Sequence, residues 1–184
     1  MPDLPHVTRV LAEAGLGPDL TGIAPDVLEA ARRRGSAVHA LVDAHGYGAL
    51  EPGDVEPEFK GYLDAYEAFC RDLKHEPVVS EYEVIHPAWH YVGHLDRVGW
   101  VHKSRVLIDW KVVATVDVDA VAAQLAAYEM AWEAMRPTEP IAETLAVQLK
   151  ADGTYRVHVV DSEGARQVFL AALVIYTERR RRGR

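Results

Sequence analysis

Three consecutive segments rich in Val, Ile, Tyr and Trp lie in the middle of the chain and constrain its fold more than any other feature. They cover residues 78–86, 91–101 and 105–111, and residues of this kind favour strands. Only short, turn-like breaks separate them. Strands joined by such short links pair with their neighbours, so the pattern predicts an antiparallel meander of three strands.

Helical patterns flank these strands. The most distinct one covers residues 57–74, where apolar side chains recur at spacings of three and four. Gly35 is expected to separate two short helices, and residues 47–55 are expected to form a loop. Helices are predicted over residues 7–14, 24–34, 36–45, 57–74, 117–135 and 163–179, and two further strands over residues 144–150 and 155–161. This order predicts an α/β fold of the α+β sandwich kind, with a central mixed sheet of the meander plus two further strands, flanked by helices.

Length and composition exclude several classes of protein. The 184 residues suffice for one domain with its own core. No apolar run has the roughly 18 residues that a membrane helix needs, and no secretory signal is visible at the N-terminus. The single cysteine, Cys70, excludes an intramolecular disulfide, a four-cysteine zinc site and a cysteine-ligated iron-sulfur cluster. These features favour a cytoplasmic protein without membrane contact.

The charge is distributed unevenly along the chain. The formal net charge is −8, yet five of the 20 basic residues lie in the last six positions. We therefore predict a single domain over residues 1–178, followed by a basic, flexible tail at 179–184. The tail and a second basic run, Arg32-Arg33-Arg34, could contact a polyanion. The second run could equally complement the dipole at the end of its helix.

Two aspartates and a lysine on neighbouring predicted strands carry the chemical signal. Asp96 and Asp109 converge when the chain folds back between their strands, and two carboxylates so placed repel each other unless a cation lies between them. Oxygen ligands select hard cations such as Mg²⁺ or Mn²⁺. Asp109 and Lys111 are two residues apart, so they share one face of a strand, while Trp110 points to the other face, into a core.

Other polar residues could complete this site. Glu81 and Glu83 share a face of the preceding strand, and either could supply a third carboxylate. Gln124 and Tyr128 are four residues apart on the Ala-rich helix, so they also share a face. His39 lies in an apolar helical segment, where it is either a core residue or a nitrogen ligand.

Five short motifs give the chain a resemblance to the PD-(D/E)XK nuclease superfamily, in its RecB-type and phage-exonuclease branch. They occur in the family's order over residues 35–128, and the opening Pro5-His6-Val7-Thr8 also resembles the start of phage members. The five motifs are Gly35-Ser36-Ala37-Val38-His39, Ser80-Glu81-Tyr82-Glu83, Gly93-His94-Leu95-Asp96, Ile108-Asp109-Trp110-Lys111 and Gln124-Leu125-Ala126-Ala127-Tyr128.

The resemblance implies a restriction-endonuclease-like core and a role for each matching residue. The expected metal ligands for Mg²⁺ or Mn²⁺ are His39, Asp96, Asp109 and the main-chain carbonyl of Trp110. The expected catalytic residues are Asp96, Asp109, Lys111 and Glu81. The expected DNA-binding residues are Gln124, Tyr128, Arg32, Arg33 and Arg34.

The implied function is a metal-dependent deoxyribonuclease that hydrolyses phosphodiester bonds. The branch favours an exonuclease that acts on single strands or on duplex ends, in recombination, repair or phage DNA metabolism. An endonuclease of the same fold and a non-catalytic DNA-binding or assembly module are the alternatives. The resemblance is also compatible with a homo-oligomer, and with a helicase or a single-strand annealing protein as partner.

Overall fold

One five-stranded sheet forms the centre of the molecule, in the order β1-β2-β3-β4-β5. The computed structural model describes residues 4–18, 20–51, 53 and 55–183. The strands are β1 (Glu76–His86), β2 (Tyr91–Val101), β3 (Ser104–Lys111), β4 (Glu143–Leu149) and β5 (Tyr155–Val160). β3 and β4 pair in parallel and the other neighbours pair antiparallel. This confirms the predicted meander and the mixed sheet.

Helices cover both faces of the sheet. They are α1 (Val7–Glu13), α2 (Pro25–Gly46), α3 (Lys60–Leu73), α4 (Val118–Met135) and α5 (Ser162–Arg181). α2 and α3 pack on one face, and α1, α4 and α5 pack on the other. In the described part of the chain, no helix combines the length and apolar character that crossing a bilayer requires.

Each face of the sheet has its own apolar core. Val38 of α2 and Phe69 of α3 pack with Trp110 on one side. Trp132 of α4 and Phe169 of α5 belong to the core on the other side. β3 lies between the two cores, and five of its consecutive residues are buried. A strand covered on both faces reads as a continuous apolar run, and a charged residue within it, such as Asp109, needs a specific partner.

The predicted break at Gly35 is wrong, because α2 runs through it as one helix of 22 residues. A glycine inside a helix costs only about 1 kcal/mol relative to alanine. Val38 and Val42, which are almost completely buried, anchor the following turns in the core. The left-handed glycine that follows this helix is Gly48, with a φ of 66°. Packing therefore overrides the local preference at Gly35.

The basic C-terminal residues are helical further than predicted. α5 continues to Arg181, and Arg179 Nη1 donates a 3.0 Å hydrogen bond to the carbonyl oxygen of Glu13. The division at residue 178 into a domain and a flexible tail stays a prediction. Pro52 and Asp54 of the predicted loop and Arg184 of the predicted tail lie outside the described residues. α3 begins at Lys60, later than predicted, since residues 57–59 form a turn.

Gly93 on β2 allows α4 to lie close to the sheet. A Cβ atom at this position would come 2.5 Å from Cε1 of Tyr128 and 3.1 Å from Cγ2 of Val7. Both neighbours are buried, so neither side chain can move aside freely. The glycine of one sequence motif and the tyrosine of another are therefore in direct contact.

We expect the Gly93→Ala substitution to lower the free energy of unfolding by about 2 kcal/mol, since it overpacks a filled core. Gly35→Ala is the matched control. An added Cβ at Gly35 has no neighbour within 4 Å, and alanine favours the helix by about 1 kcal/mol. Urea denaturation of both variants measures the two effects. Equal stabilities of the two variants would contradict this account of Gly93.

His75, the residue directly before β1, is buried near the guanidinium of Arg97. Burial lowers its pKa to about 4, and the charge of Arg97 acts in the same direction, while a hydrogen bond to the carbonyl oxygen of Trp100 opposes both. The folded protein therefore takes up this proton only near pH 4. The unfolded chain takes it up near the ordinary pKa of 6.5.

His75 is therefore expected to make the protein less stable as the pH falls from about 6.5 to 4. Below the ordinary histidine pKa, the unfolded state binds a proton that the folded state does not bind. Between pH 7 and 5 we expect this residue to account for a loss of about 2 kcal/mol. Urea denaturation of wild type and of His75→Gln at both pH values measures it. The prediction fails if both proteins lose the same stability over this range.

Candidate active site

The site lies where β2 and β3 stop pairing through their main chains. The β2–β3 register runs from the Val101–Ser104 pair to the Arg97–Ile108 pair. Beyond that point, the Trp110 N–H donates a 2.8 Å hydrogen bond to Oδ2 of Asp96. The Trp110 carbonyl oxygen accepts a 3.0 Å hydrogen bond from Nε2 of His39 on α2. The side chains of Asp96 and His39 thus bind the main-chain groups of Trp110, which β2 does not pair with.

β1 is also irregular at this point. Its register with β2 passes from the Ser80–Arg97 pair to the Tyr82–Leu95 pair, and Glu81 between them has a φ of 44°. Residues other than glycine rarely adopt this left-handed conformation, which costs about 1–2 kcal/mol. The register with β2 is the same on both sides of Glu81, so the irregularity lies in its backbone conformation, and strained conformations of this kind often lie at functional sites.

Glu81 and Asp96 both face His39 as a result. Nδ1 of His39 lies 3.7 Å from Oδ2 of Asp96 and 3.9 Å from Oε1 of Glu81. One ligand atom from each of these three residues lies within 4.8 Å of those of the other two. The three come from α2, β1 and β2, so only the folded chain brings them together.

Asp109 occupies the adjoining part of the site, in contact with Lys111. Nζ of Lys111 lies 2.5 Å from Oδ2 of Asp109, which confirms that the two side chains share a face. Nε2 of Gln124 donates hydrogen bonds of 3.1 Å to Oδ1 of Asp109 and to the hydroxyl oxygen of Tyr128. The Trp110 side chain points the other way, into the core with Tyr66 and Phe69.

The carboxylates create a surplus of negative charge that their neighbours do not balance. Burial, and then the charge of Asp109, raise the pKa of Asp96 to about 7, although His39 and Lys111 oppose them. Burial lowers the pKa of His39, but Glu81, Asp96 and Asp109 more than offset this effect, and the pKa rises to about 9. The group therefore favours an additional positive charge at His39, whether a proton or a bound cation supplies it.

The charges of Asp109 and Asp96 also affect the pKa values of Lys111 and Tyr128. Burial lowers the pKa of Lys111, but the contact with Asp109 and the charge of Asp96 raise it above the ordinary value. Burial, followed by the charges of Asp109 and Asp96, raises the pKa of the Tyr128 hydroxyl. Lys111 is therefore a cation in this structure, and Tyr128 is a neutral phenol.

The donor set fits a hard divalent cation. An imidazole nitrogen and two carboxylates that converge within 4.8 Å are ligands that Mg²⁺ and Mn²⁺ accept. A cation at this point would also favour the ionised form of Asp96, whose pKa is raised first by burial and then by the charge of Asp109. The identity of the ion, and the roles of Asp109 and the Trp110 carbonyl as further ligands, stay predictions.

Other candidate residues are more distant from this group. Glu83 is exposed, and its carboxylate lies 3.5 Å from Nε2 of His94 rather than beside His39. The geometry therefore favours Glu81 over Glu83. Arg32, Arg33 and Arg34 are exposed on α2, between one and two turns before His39.

One residue that contributes to the site was not identified from the sequence. Arg97 on β2 is only 1% exposed, and its Nη2 donates a 3.3 Å hydrogen bond to the carbonyl oxygen of Val42. Its guanidinium lies 4.0 Å from Oδ1 of Asp43. Arg97 thereby joins β2 to the turn of α2 that follows His39. The available signal was an arginine that directly follows Asp96 in a strand rich in Val, Leu and Trp.

Comparison with solved structures shows a similar fold in one known protein. No protein-family model matches the chain, and no curated protein matches its sequence significantly. Twenty-two chains of solved structures match it in shape. One is a candidate exonuclease from Eubacterium rectale, with a TM-score of 0.58, 12% identity, and coverage of 93% of this chain and 71% of that chain. Another is an alkaline exonuclease from Laribacter hongkongensis, with a TM-score of 0.37, 15% identity, and coverage of 97% and 91%. This protein thus has an α+β fold similar to that of the Eubacterium rectale protein.

Proposed function

We propose that this protein is a metal-dependent deoxyribonuclease of the PD-(D/E)XK type. One observation carries the proposal: His39, Glu81 and Asp96 converge beside the Asp109–Lys111 pair where β2 and β3 separate. The order of the five sequence motifs and the fold shared with a candidate exonuclease support it. The substrate would be DNA, as a single strand or at duplex ends.

In this proposal, one group of residues would bind the metal ion, and Lys111 would stabilise the transition state of hydrolysis. His39, Glu81 and Asp96, with Asp109, would hold Mg²⁺ or Mn²⁺. When bound, such an ion polarises a phosphodiester and a water molecule. Asp109 holds the Lys111 ammonium in place. A protonated Lys111 would donate hydrogen bonds to a non-bridging phosphate oxygen, where negative charge increases in the transition state. The raised pKa of Lys111 favours this role over that of a base.

Neighbouring groups would orient these residues and bind the strand. The Gln124 amide fixes one oxygen of Asp109 and is itself bonded to Tyr128. Because Tyr128 is only 3% exposed, it would act by orienting Gln124. The exposed Arg32, Arg33 and Arg34 would contact phosphates, and binding through them would weaken as salt is added.

We infer exonuclease action rather than internal cutting, from the resemblance to the phage-exonuclease branch. A gel assay separates the two. Linear duplex, linear single-stranded and circular single-stranded DNA are incubated with Mg²⁺, Mn²⁺ or EDTA. Metal-dependent loss of the linear forms alone is expected. Cutting of circles would indicate an endonuclease, and a gel shift without cutting would favour the DNA-binding module.

We expect Asp109→Asn and Glu81→Gln each to lower the cleavage rate at least 100-fold, because each removes a charge that the metal site needs. Glu83→Gln is the matched control, since it makes the same change two residues along the same strand. This control should cleave at the wild-type rate. Initial rates on linear DNA with Mn²⁺ measure the three variants. Equal losses in Glu81→Gln and Glu83→Gln would remove Glu81 from the site.

The Lys111→Met variant should lower kcat about 1,000-fold with little change in KM, since the proposed contact strengthens only in the transition state. Methionine keeps most of the apolar stem and removes the charge. Steady-state kinetics on linear DNA separate the two constants. A rise in KM at constant kcat would instead make Lys111 a phosphate-binding residue without a catalytic role.

A further inference from the structure

A cavity of about 190 Å³ opens beside Lys111 and Gln124, on the side of the site away from α2. α1 with the segment that follows it, the segment between β3 and α4, and the first turns of α4 line this partly open cavity. Besides those two residues, its lining includes Thr8, Leu11, Leu16, Val116, Ala120 and Val121. None of these six residues belongs to the metal-ligating group, and the only sequence motif that includes one of them is Pro5-His6-Val7-Thr8.

The lining of the cavity combines aliphatic and polar side chains. Leu11, Leu16, Val116 and Val121 form a largely aliphatic lining. The lining also includes Lys111 and Gln124, whose ammonium and amide contact Asp109. The Asp117 carboxylate already accepts a hydrogen bond from the N–H of Ala120 at the start of α4. A ligand that suits this cavity has an apolar body and an anionic group next to it.

Size restricts the ligand further. An apolar protein cavity of about 150 Å³ is large enough to hold benzene. A cavity of about 190 Å³ therefore accommodates one planar aromatic ring system, whereas a base pair is too large. In a DNA strand, each planar base is attached through a sugar to a phosphate. A base could therefore contact the aliphatic side chains while its phosphate contacts the Lys111 ammonium.

We propose that this cavity receives one unpaired nucleobase of the DNA strand whose phosphate contacts Lys111. The proposal rests on the proposed nuclease function and specifies its substrate: the end of the strand must be single-stranded or frayed. Aliphatic walls contact the flat face of any base, so the cavity selects an unpaired base and not a particular sequence. The nucleotide that enters it is the one next to the phosphodiester that is cleaved.

Ala120→Leu tests the proposal by filling the cavity. Ala122→Leu is the matched control, because Ala122 is on the same helix but lines only the neighbouring groove with Gly164 and Val168. Thr8→Leu fills the cavity from α1 and serves as the second variant, should Ala120→Leu disturb the fold. Thermal unfolding checks that all three proteins are folded.

The substrates are single-stranded 12-mers that carry either normal bases or one abasic residue, placed at the 5′ end or at the 3′ end. For wild type and Ala122→Leu, the abasic residue at the end where cleavage starts should raise KM about tenfold, the size of effect that loss of one base contact produces. For Ala120→Leu and Thr8→Leu, KM for the normal 12-mer should already be about tenfold higher. The abasic residue should then cause no further change.

Two results would overturn the proposal. One is a wild-type protein that cleaves the abasic and normal 12-mers alike, and the other is an Ala120→Leu protein that still distinguishes them. Absence of cleavage by every protein would overturn the nuclease function separately. In that case, a 12-mer with terminal 2-aminopurine decides about the cavity. Its fluorescence should rise on binding to wild type and not to Ala120→Leu, and an equal rise with both would exclude the cavity as a base site.

Discussion

The main-chain groups of Trp110 impose the constraint on which the site depends. This residue lies in a strand buried on both sides, where an N–H or C=O group without a partner is costly. β2 does not pair with it, so Asp96 accepts from its N–H and His39 donates to its C=O. The same hydrogen bonds that satisfy the strand therefore fix an aspartate from β2 and a histidine from α2 beside Asp109.

That arrangement concentrates charged side chains in a half-buried place. Three carboxylates lie near one imidazole and one ammonium. They raise the pKa of His39 against the effect of its burial, while burial and then the charge of Asp109 raise the pKa of Asp96. Such a cluster opposes folding in the absence of a cation, because like charges repel and burial weakens their hydration. Natural sites often retain unfavourable features of this kind where binding or catalysis uses them. The left-handed backbone at Glu81 is a second feature of the same type.

Elements on both faces of the sheet hold the charged group in place. On one face, Gly93 lets the Tyr128 ring pack against β2, and Tyr128 and Gln124 together orient Asp109. On the other face, Arg97 binds the carbonyl oxygen of Val42, one turn after His39. The glycine, glutamine and tyrosine of the sequence motifs thus form one packed unit.

Much of the fold was determined by local sequence. Strand and helix positions followed from β-branched and aromatic runs and from apolar spacing, because these patterns reflect which side of an element is buried. The pairing of Asp109 with Lys111 followed from the two-residue repeat of a strand. The tertiary structure decided the continuity of α2 at Gly35, where burial of Val38 and Val42 outweighs a weak local preference. It also decided the choice of Glu81 over Glu83, since a backbone irregularity and not strand alternation directs Glu81 toward His39. Arg97 and the cavity beside Lys111 depend on contacts between segments far apart in the chain, and no local pattern encodes such distances.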